Sequence, residues 1–580
     1  MVALAVAAPL PAAEPAAALK ALMREAWEFR LLQDPLLASG VGDHRYDDRL
    51  PALAPADFEG EAAFWKGVLE RLGKIPKAGL GEGDRVSYEV FELDARDRLE
   101  GLAFEAWRMP LNSEGSFHSD FARLPASTRF ATTQDYESYL ARLRAFPAYA
   151  RQQMRNMRAG IETGFVQPRA ILEGFEGTIT AHVVDDATQS VFWAPFAAFP
   201  EAVPAADRER LRREGRAAIE SQVVPAYRAF LEFMTREYLP HARAGVGASE
   251  LPGGRDYYAY LVRHFTTLDV TPDAVHAIGL KEVARIRGEM DAVLKQLKWD
   301  RGFPAFLEFL RTDPRFYAKT PEELLMRAAY VAKRMDGKLP SLFGRLPRQP
   351  YGVEPVPADI APKYTGGRYN GAPIDSTRAG EYWVNTYALE TRPLYTLEAL
   401  TLHEAVPGHH LQTALAQELR DLPAFRRYAY FDAFGEGWGL YSERLGLEAG
   451  FYQDPYSNFG RLTYEMWRAC RLVVDTGLHA QGWTRQQALD YLAGNTALSL
   501  HEITTETDRY IGWPGQALAY KMGELKIREL RKRAEDALGP RFDLRAFHDA
   551  VLAQGSLPLP VLEQRIDAFI RASSRPGAAR

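Results

Sequence analysis

Apolar residues recur along most of the chain with a period near 3.6, the spacing that lines one face of an α-helix. Between Ala18 and Gln33, where no proline or glycine intervenes, Leu19, Leu22, Met23, Ala26, Phe29 and Leu32 fall on one such face. The pattern returns over Thr133–Gly160 and Pro204–Leu239, where Pro147 and Pro225 mark kinks or joints, because proline removes a helical donor. At Thr271 a capping side chain precedes a proline at the first helical position, which predicts a helix running towards Leu297. Gly- and Pro-rich loops, notably Gly245–Gly254 and Gly344–Gly380, separate these blocks. One stretch departs from the helical period: Glu381-Tyr-Trp-Val-Asn-Thr-Tyr387 is rich in β-formers and predicts a strand. A helix follows from Thr396, with Thr396 as N-cap and Glu398 placed to favour the helix dipole. The pattern is that of a mainly α protein in which a strand leads into one particular helix.

Composition narrows the class. The 580 residues are 47% hydrophobic and 25% charged, with 30 Phe, 27 Tyr and 10 Trp, which is ample for a large core and excludes disorder as the main state. At roughly 150 residues per domain the length allows about four domains, or one large helical enzyme. We divide the chain into a tail over 1–17, an N-terminal helical part over 18–245 and a helical catalytic part over 246–580. A net charge of −5 provides no basic field for nucleic acid. Cys470 is the sole cysteine, so a metal site must be built from His, Asp and Glu. The apolar run Val2–Ala8, followed by Ala12-Ala13, reads as a shortened export signal or as an Ala/Pro-rich tail, since the first basic residue is Lys20. The expected location is periplasmic or secreted, with cytoplasmic as the alternative, and no segment has the length of a membrane span.

The helix after Thr396 reads TLEALTLHEAVPGHHLQ and holds His403, His409 and His410, three of the chain's twelve histidines, beside Glu404. In a His-Glu-x-x-His helix, histidines four apart reach one zinc while the glutamate activates water. Here the fourth residue after His403 is Pro407, which cannot bind metal. His410 returns to the same face, within ~20°, but ~10.5 Å further along the axis. His409 lies ~240° around a regular helix, and a bulge that absorbs two residues at Pro407-Gly408 would bring it round. We favour His409; the plain alternative is a helix end whose histidines cap its last carbonyls.

Thr401–Gln412, together with Gly435-Glu-Gly-Trp-Gly-Leu-Tyr441, resembles the bacterial family known as domain of unknown function 885, taken to be zinc metallopeptidases of the gluzincin type. Further matches are Leu251-Pro-Gly-Gly, Asp269-Val-Thr-Pro, Arg471-Leu-Val-Val-Asp-Thr-Gly-Leu-His479 and Pro514-Gly-Gln-Ala-Leu-Ala-Tyr520, so the resemblance spans about Ala18 to Ile570. It implies a mostly helical peptidase around a deep cleft, similar to angiotensin-converting enzyme and neurolysin. Dipeptidyl peptidase III, whose motif carries one inserted residue before a Gly-His ligand, is the analogue that points again to His409. The resemblance implies a third ligand from a later helix: Glu436, with Glu443 as competitor and neighbour. It also implies a tyrosine for the oxyanion, Tyr520 first and Tyr510 second. His479 and His501 are candidates for holding the substrate backbone, and Asp475 is spaced to pair with His479 on one helix face.

The expected chemistry is zinc-dependent hydrolysis of short peptides, with Glu404 as general base, His403, His409 and Glu436 on Zn2+, and Tyr520 at the oxyanion. The strand Glu381–Tyr387 is expected to bind the substrate backbone as an added edge. Arg368, Arg378 and Arg509 are candidate anchors for a substrate carboxylate. Two other readings remain: a helical binding protein with a degenerate metal site, and a metal-dependent amidase or esterase. No Gly-x-Ser-x-Gly elbow or helix-opening Gly-x-Gly-x-x-Gly offers a different chemistry.

Overall fold

The computed structural model describes residues 14–112, 116–358, 360–372 and 378–574. Most of the expected tail, residues 1–13, and part of the loop before residue 380 lie outside them. The fold is mainly α with one small sheet. The first helix, Pro15–Gln33, buries Leu19, Leu22, Met23 and Ala26 of the apolar stripe. Thr133–Thr163 runs through Pro147, and Thr132 caps it by accepting the Asp135 N–H. Across Ala205–His241 the chain stays helical, but wide five-residue turns at Ile219–Val223 and Met234–Tyr238 precede Pro225 and Pro240. Those turns absorb the donor that each proline lacks. Thr271 caps Pro272–Gln296 as its sequence predicts.

One continuous apolar core includes Leu19, Tyr227 and Phe230 as well as Trp438, Val473 and Ile566, so both parts of the chain contribute to it. At its centre lies the helix Pro455–Ala480, in which every residue from Phe459 to His479 is buried. A helix surrounded on all sides must pair its own charges internally, and this one carries Arg461, Glu465, Arg468, Arg471, Asp475 and His479 inside. No helix among the described residues is long and apolar enough to cross a membrane.

The sheet has three strands, β1 (Tyr351–Pro355), β2 (Gly367–Asn370) and β3 (Gly380–Val384), in the order β1-β3-β2. β1 runs parallel to β3 and β2 antiparallel to it, with Tyr369 opposite Tyr382. β3, which overlaps the strand expected at Glu381–Tyr387, is therefore central. Both its edges are paired, so it cannot take a substrate as an added strand; β1 and β2 are the two edge strands. Thr396 occupies the N-cap position as expected but makes no side-chain cap: a 3-10 turn over Leu394–Thr396 leads into the helix, and the Thr396 hydroxyl donates back to the Pro393 carbonyl at 3.0 Å.

Candidate metal centre

The helix bearing His403, Leu397–Glu404, stops one residue after that histidine, and a second helix, His409–Gln417, starts at His409 itself. The expected bulge is thus a break. Ala405 (φ −90°, ψ −111°) and Gly408 (φ −76°, ψ −129°) leave helical geometry, and the Val406–Pro407 peptide is cis. A Cβ on Gly408 would sit 1.8 Å from the His403 carbonyl oxygen, so only glycine lets the chain double back this closely. The His410 N–H reaches five residues back to the Ala405 carbonyl at 3.1 Å, and the Trp438 indole N–H donates to the Pro407 carbonyl at 2.8 Å. These bonds satisfy the break inside the core, where unpaired backbone groups are costly.

The break turns His409 towards His403, with ring centroids 4.7 Å apart and planes nearly perpendicular at 84°. It sends His410 the other way, against Tyr351 and within 3.1 Å of the Tyr369 hydroxyl. Burial pushes the His410 imidazole down to about 4, so it stays neutral. Glu436, on the helix Asp432–Leu445, completes a cluster: one ligand atom each of His403, His409 and Glu436 lie within 4.8 Å of one another. Glu436 Oε2 is 3.5 Å from His403 Nε2 and 3.3 Å from His409 Nε2. Donors each about 2.0–2.1 Å from one tetrahedral zinc lie about 3.4 Å apart, so the donor types and these separations fit that ion.

Behind the cluster, His403 Nδ1 lies 2.8 Å from Glu443 Oε1, which also receives Arg468 Nη2 at 3.2 Å. An Nδ1–H donating to Glu443 leaves the Nε2 lone pair facing Glu436 and His409, the tautomer a metal ligand needs. Burial alone would depress the His403 imidazole, but the Glu436 and Glu443 carboxylates beside its two nitrogens outweigh it and raise it to about 9. Burial likewise opposes ionisation of Glu436, yet the His409 and His403 imidazoles hold its carboxyl well below the usual range. The glycines around Glu436 make room for this arrangement. A Cβ would lie 2.6 Å from the His403 ring at Gly439, 2.5 Å from Gly523 backbone at Gly437 and 2.3 Å from the Tyr430 hydroxyl at Gly435.

Glu404 stands beside the cluster, its Oε2 accepting the Tyr369 N–H of β2 at 2.8 Å. The Tyr520 ring lies nearly parallel to His403 (centroids 6.3 Å apart, 20° between planes), and the Arg471 guanidinium stands 4.2 Å from its centroid. Sequence reasoning missed Tyr430, whose hydroxyl donates to Glu436 Oε1 at 3.2 Å; no spacing in the chain signals it.

Three expectations need correction. His479 cannot hold a substrate: it is wholly buried, Nδ1 accepts the Ala248 N–H at 2.9 Å, and Nε2 donates to the Tyr510 carbonyl at 2.9 Å. Asp475 does not pair with it; that carboxyl accepts the Tyr258 hydroxyl at 2.6 Å and the Gly515 N–H at 3.1 Å. Tyr510 is locked as well, its buried hydroxyl accepting from Trp467 and from Arg471 Nε at 2.8 and 2.9 Å. His501 sits exposed in the first turn of the helix Leu500–Gly512, outside the cluster. Among the proposed carboxylate anchors, Arg509 is buried on Gln516 at 2.8 Å, Arg378 pairs with Glu381 at 3.6 Å, and Arg368 is exposed.

Comparison with known proteins places residues 35–566 in the family described as bacterial protein of unknown function (DUF885). A solved structure described as the "putative lipoprotein from Colwellia psychrerythraea" is 28% identical, with TM-score 0.90, over 97% of this chain and 100% of that one. A second, a "putative lipoprotein of unknown function from Shewanella oneidensis", shares the fold at 19% identity and TM-score 0.72, over 95% and 99% of the two chains. A search of curated proteins returns no match.

Proposed function

Because this chain belongs to the bacterial family DUF885, whose name carries no activity, we propose from the site itself that it is a zinc-dependent hydrolase of amide bonds in short peptides, of gluzincin type. The observation that carries this reading is the convergence of His403, His409 and Glu436 beside Glu404. These three side chains would hold the ion, and Glu443 fixes the His403 ring from behind. Zinc in such a site supplies Lewis acidity to the substrate carbonyl and acidifies the attacking water.

The remaining steps belong to the chain. Glu404, oriented by the Tyr369 N–H, takes the proton from water and returns it to the leaving amine. The Tyr520 hydroxyl, which makes no hydrogen bond among the described residues, donates to the developing oxyanion. The substrate backbone aligns beside the edge strand β2 rather than along β3. The relatives' description as lipoproteins supports an extracytoplasmic location.

The test is peptide hydrolysis by zinc-loaded protein and by Glu404→Gln. Loss of the general base should lower kcat by about 10²–10⁴-fold with zinc content unchanged. Activity retained in Glu404→Gln removes the base assignment, and no hydrolysis of any peptide removes the function.

A further inference from the structure

A shallow hollow, open to solvent, lies where the sheet meets the His403 helix. Its walls are chiefly apolar, supplied by Leu324, Val384, Pro393, Leu397, Leu400 and Leu498, and Tyr464 closes one side. Its position ties it to the candidate centre by two routes. Leu397, Leu400 and Glu404 share one face of the same helix, and Leu400 precedes Glu404 by one turn, ~6 Å along the axis. Gly366, in the hollow's lining, leads into β2, and three residues on, ~10 Å along the strand, the Tyr369 N–H holds Glu404. A peptide extended along the β2 edge therefore passes from the centre to the hollow in two or three residues.

We propose that this hollow receives an apolar side chain of the peptide, two or three residues from the bond that is cleaved. The proposal rests on the peptide reading above and deepens it. The two charged groups in the lining, Arg392 and Glu502, carry opposite formal charges and leave no net attraction for a charged side chain. Arg392 Nε is engaged by the Tyr387 carbonyl at 3.3 Å. Apolar area removed from water is the main attraction such a wall offers.

Gly366 provides a clean way to fill the hollow. A Cβ there meets nothing closer than Leu400 Cδ2 and the Tyr464 hydroxyl, both at 4.0 Å, and the residue has no left-handed φ, so a side chain points into the space without a clash. The experiment measures binding by calorimetry to zinc-loaded Glu404→Gln protein, using polar octapeptides in which one Phe replaces Ala at each position in turn. The expected result is a gain of about tenfold at one position, reduced by an added Gly366→Ala and abolished by Gly366→Val, with the affinity of the all-Ala peptide unchanged. A gain that survives Gly366→Val, or no gain at any position, overturns the proposal. Hydrolysis by the wild type is scored separately on the same peptides. Cleavage without positional preference overturns the pocket and keeps the hydrolase, whereas preferential binding without cleavage keeps the pocket and overturns the hydrolase. Absence of both overturns both.

Discussion

His403 and His479 are buried to the same degree, 2% and 0% exposed, on helices of one core, yet they differ in where their ring nitrogens point. Both nitrogens of His479 are consumed by backbone, the Ala248 N–H and the Tyr510 carbonyl, and burial drives the imidazole down to about 3. His403 spends only Nδ1 on a fixed partner, Glu443, and turns Nε2 towards a carboxylate and a second imidazole. His479 is tied to the Ala248 and Tyr510 backbone, whereas His403 leaves Nε2 facing Glu436 and His409. Burial does not distinguish the two rings; the fate of the second nitrogen does.

Exchanging the two histidines for glutamine in turn is the hardest blow to this contrast. His403→Gln should remove stoichiometric zinc and all hydrolysis. His479→Gln should keep both while lowering stability by about 1–3 kcal/mol, the cost of an unsatisfied buried partner, read from denaturant unfolding beside metal analysis. Zinc lost from His479→Gln in folded protein would erase the distinction. Gly439→Ala comes next. Its Cβ would lie 2.6 Å from the His403 ring, so it should displace the ring and cost zinc affinity without altering any donor, as measured by competition with a chelator. Glu443→Gln should weaken zinc about 10–100-fold, and it strands Arg468, so thermal unfolding should move down as well. The smallest effect is in pH. The folded His479 imidazole is depressed to about 3 from an ordinary value near 6.5. Its contribution is therefore present above about pH 6.5 and lost as pH falls towards 3. The stability gap between wild type and His479→Gln should shrink over that window, and a constant gap would contradict the neutral, backbone-bonded ring.

The sequence carried the helical class because apolar periods survive in nearly every long helix, and Thr271 could be read as a cap from three residues alone. It also carried the members of the cluster, since His403, His409 and Glu436 stand out by residue type and by their glycine neighbours. It did not carry the path of the chain between His403 and His409. A regular helix bulged at Pro407 was the nearest local picture, whereas the break depends on Trp438, 31 residues away, bonding the Pro407 carbonyl. His479 was misread for a related reason. Asp475 has the right spacing on one helix, but its partners come from Tyr258 and Gly515, and those of His479 from Ala248 and Tyr510. Strand order is equally nonlocal: the β-rich Glu381–Val384 segment reads as the most strand-like in the region, and that same apolar character places it in the middle of the sheet.

The most direct measurement is zinc per chain, by mass spectrometry, in wild type, His409→Ala and His410→Ala, each purified without a metal-affinity tag and then reconstituted. The account predicts one zinc in wild type and in His410→Ala, and none in His409→Ala. Zinc absent from reconstituted wild type, or retained by His409→Ala and lost from His410→Ala, would contradict it.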